Sequence, residues 1–166
     1  RDWAAADAAT YSMDKLKNYQ ALVHPAWVDA LIRGENPPTY PGNGYVILFT
    51  SYEPRYSENR TDYVGSRYED GHIPGAIFMD TYSIENGPNS EYGDGYAYPE
   101  EGSVKPVGEL QQFFGSLGIS SDKTVVVYAE DEISMMTAGR TAWALLLAGV
   151  ADVRILNGSY DAWVAY

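Results

Sequence analysis

Strand-like and helix-like segments alternate along this 166-residue chain, and that alternation predicts an α/β domain built on a parallel sheet. Two observations carry most of the prediction. Val125-Val-Val-Tyr128 is a short run of apolar, mostly β-branched residues, suited to a central parallel strand covered on both faces. After a loop over 129–139, Arg140 to Ala148 has helical spacing, with Trp143, Leu146, Leu147 and Val150 as its expected buried face. A second apolar run, Tyr45-Val-Ile-Leu-Phe-Thr50, supplies a neighbouring strand. The expected architecture has three layers: a mostly parallel central sheet of about five strands, flanked by helices on both faces.

The elements follow in order. Residues 1–20 mix Ala, Asp, Lys and Tyr, with Met13, Leu16 and Tyr19 as a weak helical stripe, and read as a helix or linker from an upstream region. The single domain then runs over 21–166. Leu22 and Val23 suit a short edge strand. His24-Pro25 opens a helix, Pro fitting its first turn, with Trp27, Ala30, Leu31 and Ile32 inward and Gly34 as its stop. Glu35 to Gly44 is a Pro/Gly-rich turn. Ser51 to Asp70, with Arg55, Arg60 and Arg67 among acids, reads as surface, and Gly71 to Ala76 is a turn into the strand Ile77–Asp80. Residues 86–103 form a long irregular excursion; loops of that length usually serve a function or an interface. Pro106 starts a helix with Leu110, Phe113, Phe114 and Leu117 inward and Gly118 as its stop. Asp152–Leu156 is a last strand, and Asn157-Gly158 turns into a helix carrying Tyr160, Trp163 and Val164.

Composition narrows the function. A net charge of −12 argues against nucleic acid and anionic membrane surfaces as partners. No apolar run approaches the ~20 residues of a membrane span, so no membrane insertion is expected. Cysteine is absent, which removes disulfides, thiolate metal sites and thiol nucleophiles together. Compartment stays open. A start at Arg1 and a stop at Tyr166, just after a helix-like segment, lead us to expect a piece of a longer protein.

The loop after the central strand is the place to look for a site. In open α/β sheets, ligands bind at the carboxyl ends of strands, and unpaired helix N–H groups there favour anions. Its residues, Ala129, Glu130, Asp131, Glu132, Ile133, Ser134, Met135, Met136, Thr137 and then Arg140 at the expected helix start, are poor in chemistry. Ser134 and Thr137 are the only hydroxyls, with no His nearby in sequence to activate them. The three carboxylates are read as a solvated acidic loop in preference to a cation site, and no metal or cofactor is assigned. Ile133, Met135 and Met136 suit either a contact surface or core filling. Arg140 is expected to pair with the acidic loop. Glu91, Tyr92, Asp94, Tyr96 and Tyr98 read as a Tyr-rich surface or interface loop, without EF-hand spacing. His24 reads as a helix-start residue. His72 reads as a structural residue of its turn, and two histidines with no third make no metal site.

Three segments in order resemble the rhodanese (sulfurtransferase) domain over Leu22 to Ala165. They are Gly71-His72-Ile73-Pro74-Gly75-Ala76 leading to Asp80, Leu117 to Tyr128, and Val153 to Trp163. The likeness is strongest to the upstream, cysteine-lacking domain of tandem thiosulfate and 3-mercaptopyruvate sulfurtransferases, with Ala138-Gly139-Arg140 in place of the family's Ala-Pro-Arg. The resemblance implies a persulfide-forming Cys at the position held here by Ala129. It also implies an Asp where Phe49 stands, and a structural His72. With Ala129 there, no catalytic residue is assigned. Two unit charges 4 Å apart repel by about 4 kcal/mol at an effective dielectric near 20, so Glu130, Asp131 and Glu132 disfavour a dianion such as thiosulfate. The implied role is a non-catalytic module shaping the cleft of a cysteine-bearing rhodanese domain of the same polypeptide, through the loops at 91–98 and 129–139. The alternative is a free-standing binding or regulatory domain using the 129–139 loop for a cation or a basic peptide.

Overall fold

A computed structural model describes residues 19–52, 68–86 and 102–166. The stripe of Met13 and Leu16, the arginines Arg55, Arg60 and Arg67, and the Tyr-rich segment from Glu91 to Tyr98 lie outside the described residues. The elements are β1 (Leu22–Val23), α1 (Pro25–Ile32), β2 (Tyr45–Ser51), β3 (Ile77–Asp80), α2 (Val107–Ser116), β4 (Thr124–Ala129), α3 (Met135–Ala148), β5 (Asp152–Leu156) and α4 (Ser159–Ala165). Short 3₁₀ turns at Tyr19–Ala21 and Thr81–Ile84 join them.

The five strands form one sheet in the order β1-β5-β4-β2-β3, and every neighbouring pair is parallel. Parallel neighbours need crossovers, which place helices on both faces and explain why β4 is buried along its whole length. Side chains alternate across β4. Val125, Val127 and Ala129 join a core with Leu48, Leu110, Phe114, Ala138, Ala144 and Leu145, beneath α2 and α3. Val126 and Tyr128 join the opposite core with Val28, Leu31, Ile47, Phe49 and Leu156, beneath α1 and α4.

The helix ends follow local chemistry. His24 is the α1 N-cap, its Nδ1 accepting from Ala26 N at 3.2 Å, and Pro25 fills the first turn as expected. Gly149, at φ +97°, closes α3 in the left-handed conformation, and Val150 N returns to Leu145 O at 3.0 Å. At the amino-terminal end of the sheet, Arg154 is buried but fully engaged. It pairs with Asp152 at 3.0 Å, donates to Thr39 Oγ1 at 2.8 Å and lies 4.6 Å from the Trp27 ring.

Two expectations are corrected. The helix after β4 begins at Met135, not Arg140, so the connection shrinks to residues 130–134 and Arg140 lies in its second turn. The inward face of α3 is made of Thr137, Ala138, Thr141, Ala142, Ala144, Leu145 and Ala148, while Trp143, Leu146 and Leu147 are exposed. Small residues let the helix lie close to the β-branched surface of the sheet, and the larger ones consequently point out. Val150 is buried as expected. On α1, Val28 joins Leu31 as a fully buried residue, Trp27 and Ile32 pack partly buried against the same core, and Ala30 is half-buried.

Candidate functional site

Strand order locates the site before any side chain does. From β2 the chain moves outward to β3 and then returns past β2 to β4, so the order reverses between β2 and β4. Crevices for ligands open at the carboxyl ends of such strands. Thr50 and Ala129 are paired residues there, side by side on the α3 face of the sheet.

This crevice is closed from within. Ala129 is fully buried, its methyl part of the core under α3. Thr50 is fully buried, and Thr137 nearly so. Their hydroxyls lie 3.0 Å apart; Thr50 Oγ1 donates to Tyr128 O at 3.1 Å. Thr137 Oγ1 reaches Ser134 O at 2.8 Å and Thr50 O at 3.0 Å, two acceptors for its single proton. A hydroxyl so engaged is a latch between helix and strand. Thr50 escaped the sequence reading because a Thr ending an apolar strand carries no distinguishing signal.

The helix amides are also engaged. Asp131 Oδ1 accepts from Ser134 N at 2.7 Å, placing the loop's own carboxylate at the amino end of α3, where the macrodipole and free N–H groups favour an anion. Met135 N and Thr137 N donate to Glu132 O and Ser134 O at 3.4 and 2.9 Å. The loop therefore fills with its own groups the place a substrate anion would take. Glu132 and Met136 stand in solvent, and Ile133 is 91% exposed, whereas Met135 packs partly onto the core.

Arg140 pairs, but not with the acidic loop. Its Nε lies 2.6 Å from Glu85 Oε1, which also accepts from Tyr52 Oη at 2.9 Å, and its Nη2 donates to Gly102 O. The correction follows from geometry: one turn into α3, the side chain faces the segment after β3 and not the loop preceding the helix. Nothing in the sequence singles out Glu85.

The turn 71–76 lies on the other face of the sheet. Ile73 is fully buried, and its N–H donates to Tyr128 Oη at 3.0 Å. His72 stacks on Tyr68, with ring centroids 4.0 Å apart, and its Nδ1 donates to Tyr68 O at 2.9 Å. Tyr68 Oη in turn donates to Ala76 O at 2.8 Å. A side chain on Gly71 would meet Tyr160 Oη, so the turn and α4 close on each other here. Asp80 ends β3 by accepting from Tyr82 N at 3.0 Å. The turn 71–76 is thus tied to β4 through Ile73 and Tyr128, on the far face of the sheet from the loop, and Asp80 stands at the other end of β3. Burial in this aromatic cluster pushes the Tyr128 phenol well above its ordinary value.

Fold and site together define a three-layer α/β domain of the kind that holds ligands at strand ends, here with its crevice filled by its own side chains. The chain belongs to the rhodanese-like domain family, whose model matches residues 56–166. It is 31% identical over 147 residues to thiosulfate sulfurtransferase of Bos taurus, covering 88% of this chain and 43% of the relative. It is 28% identical over 151 residues to thiosulfate sulfurtransferase YnjE of Escherichia coli (strain K12), covering 91% of this chain and 29% of the relative. Among solved structures, that of YnjE superposes with a TM-score of 0.69 at 26% identity, over 91% of this chain and 30% of the other. Wild-type EanB superposes with a TM-score of 0.73 at 30% identity, over 94% and 34%. The chain therefore spans less than half the length of these relatives.

Proposed function

We propose that this chain is a non-catalytic rhodanese-like module of a longer sulfurtransferase, packing against a cysteine-bearing domain of the same polypeptide and shaping its cleft. The observation that carries the reading is the last residue of the central strand. Ala129 stands where the family resemblance calls for the thiolate, and the chain has no cysteine anywhere to substitute for it. The filling of the crevice supports the same reading. Asp131 accepts from Ser134 N at the amino end of α3, and the Thr50–Thr137 latch closes the strand ends, an arrangement that disfavours a sulfane sulfur or its dianionic donor there. The relatives named thiosulfate sulfurtransferase are more than twice as long as the part matched here, which leaves room in those proteins for a second unit. In this reading, residues 21–166 are the domain and residues 1–20 a connection to an upstream region.

Incubation of the purified chain with thiosulfate and cyanide is expected to give thiocyanate at the rate of buffer alone. Intact mass after thiosulfate is expected to show no added sulfur. A persulfide adduct, or turnover above background, would overturn the reading. Binding of calcium or a basic peptide by the isolated chain at micromolar concentration would replace it with a free-standing binding domain.

A further inference from the structure

A helix on the surface of a water-soluble domain ordinarily carries an apolar stripe inward and charge outward; one that is apolar all round is covered on all sides. Helix α3 is of the second kind. From Met135 to Ala148 it holds a single charged residue, Arg140, and that side chain is turned to Glu85. The face away from the sheet carries Met136, Trp143, Leu146 and Leu147, which are 71%, 55%, 56% and 42% exposed. Their spacing puts them on one side of the helix, with Gly139 and the ion-paired Arg140 between Met136 and Trp143. From Met136 to Leu147 this face extends for about 16 Å at ~1.5 Å per residue, and Ile133, in the loop before it, is also exposed. Trp143, Leu146 and Leu147 are large apolar side chains clustered on one exposed face, and such a cluster marks a contact surface.

We infer that the outward face of α3 is a protein–protein interface, and that its occupant is the apolar face of a different domain with Lys or Arg at the rim facing Glu132. Charge selects this occupant over a second copy of the chain. The net charge is −12, and Glu132, just before the amino end of α3, is exposed. If two such helices met head to tail, each Glu132 would lie against the negative carboxyl end of the other helix; side by side, the two Glu132 carboxylates would face each other. Both arrangements set like charge against like, whereas a basic rim complements it. Placing the occupant in the same polypeptide rests on the proposed function; the interface itself rests on α3.

Because the chain lacks cysteine, one introduced thiol reports on one position. Maleimide labelling of Leu146→Cys, followed by peptide mass spectrometry, is compared between the isolated chain and the polypeptide encoded by its complete reading frame. Labelling is expected to slow at least about tenfold in the longer polypeptide, while Glu35→Cys, on an exposed turn, keeps its rate in both. With the remainder of the reading frame supplied as a separate protein, Leu146→Lys and Trp143→Glu are expected to weaken association more than about tenfold, as for residues central to an interface. Glu132→Lys is expected to slow association at low salt and to lose that effect at about 1 M salt. An unchanged circular dichroism spectrum and urea midpoint show that each variant folds. Equal labelling of Leu146→Cys in both contexts overturns the proposal, as does a reading frame that adds no further domain. Sedimentation of the isolated chain as a dimer that Leu146→Lys dissociates also overturns it, in favour of a second copy. The thiocyanate assay is independent of all these outcomes, so an active chain with a covered α3 defeats only the functional reading, and an inactive chain with α3 bare defeats only the interface.

Discussion

Helices α2 and α3 lie side by side on one face of the sheet, yet they meet the outside differently. Both bury apolar residues, Leu110 and Phe114 from α2, Ala144 and Leu145 from α3, in one continuous core. Gln111 of α2 ties them by donating to Ala148 O at 2.9 Å. On its outer side α2 presents Glu109, Gln111, Gln112 and Ser116, whereas α3 presents Met136, Trp143, Leu146 and Leu147. The inner faces show what folds the domain. The outer faces differ in kind: that of α2 is mostly polar, with Val107 its one large exposed apolar residue, and that of α3 is mostly apolar, as the proposed interface requires.

The largest effects test the claim that the inner faces are equivalent. Leu145→Ala and Leu110→Ala each remove a fully buried side chain, and each is expected to cost about 2–5 kcal/mol in urea denaturation. A small loss at Leu145 alone would mean that α3 is only loosely docked, and the comparison would break there.

Next in size is the latch at the amino end of α3, where hydroxyls take over from hydrocarbon. Thr137→Val keeps the shape and removes the hydroxyl bonds to Ser134 O and Thr50 O, of which Ser134 O keeps the bond from Thr137 N. The expected loss is about 1–3 kcal/mol, read from the same denaturation curves. Amide exchange at Ser134 to Thr137 should accelerate in parallel, since the loop loses its tie to β2.

The opposite face of the sheet provides a control with a pH signature. Tyr128 is buried with its hydroxyl accepting from Ile73 N, and desolvation pushes its phenol up. The native state therefore favours the protonated form more than the unfolded chain does. The associated stability is fully present below the unfolded value of about 10 and is lost as pH climbs toward the native value. Tyr128→Phe is expected to cost about 1–2 kcal/mol at neutral pH, by leaving the Ile73 N–H unpaired, and to flatten this alkaline loss. A variant that keeps the full alkaline slope would assign the titration to another tyrosine.

These elements also show what was legible in the sequence. Strands and helices could be read because burial on both faces leaves uninterrupted apolar runs, as in Val125 to Tyr128, and because the ends carry punctuation such as His24-Pro25 and Gly118. The place of His24 at a helix start followed from the Pro after it. The buried side of α3 is not legible from hydrophobic size, since Trp143, Leu146 and Leu147 point outward. Against a sheet dense with β-branched residues, closeness matters more than size, and Ala and Thr win the inner face. The partner of Arg140 and the latch of Thr50 were illegible for another reason. Both join segments far apart in the chain, 55 residues for Arg140 and Glu85, 87 for Thr50 and Thr137, and no local pattern records such pairs.

The smallest expected effect bears most directly on the contrast between the two helices. Leu146→Gln puts on α3 the kind of side chain that α2 already wears outside. In the isolated chain Leu146 is more than half exposed, so the exchange removes little packing and is expected to change stability by less than about 0.5 kcal/mol. Gln111→Leu, the reverse exchange on α2, also forfeits the bond to Ala148 O and is expected to cost slightly more. A loss near 2 kcal/mol from Leu146→Gln alone would mean that something in the chain already covers α3. The outer faces of the two helices would then be equally finished, and the asymmetry would vanish.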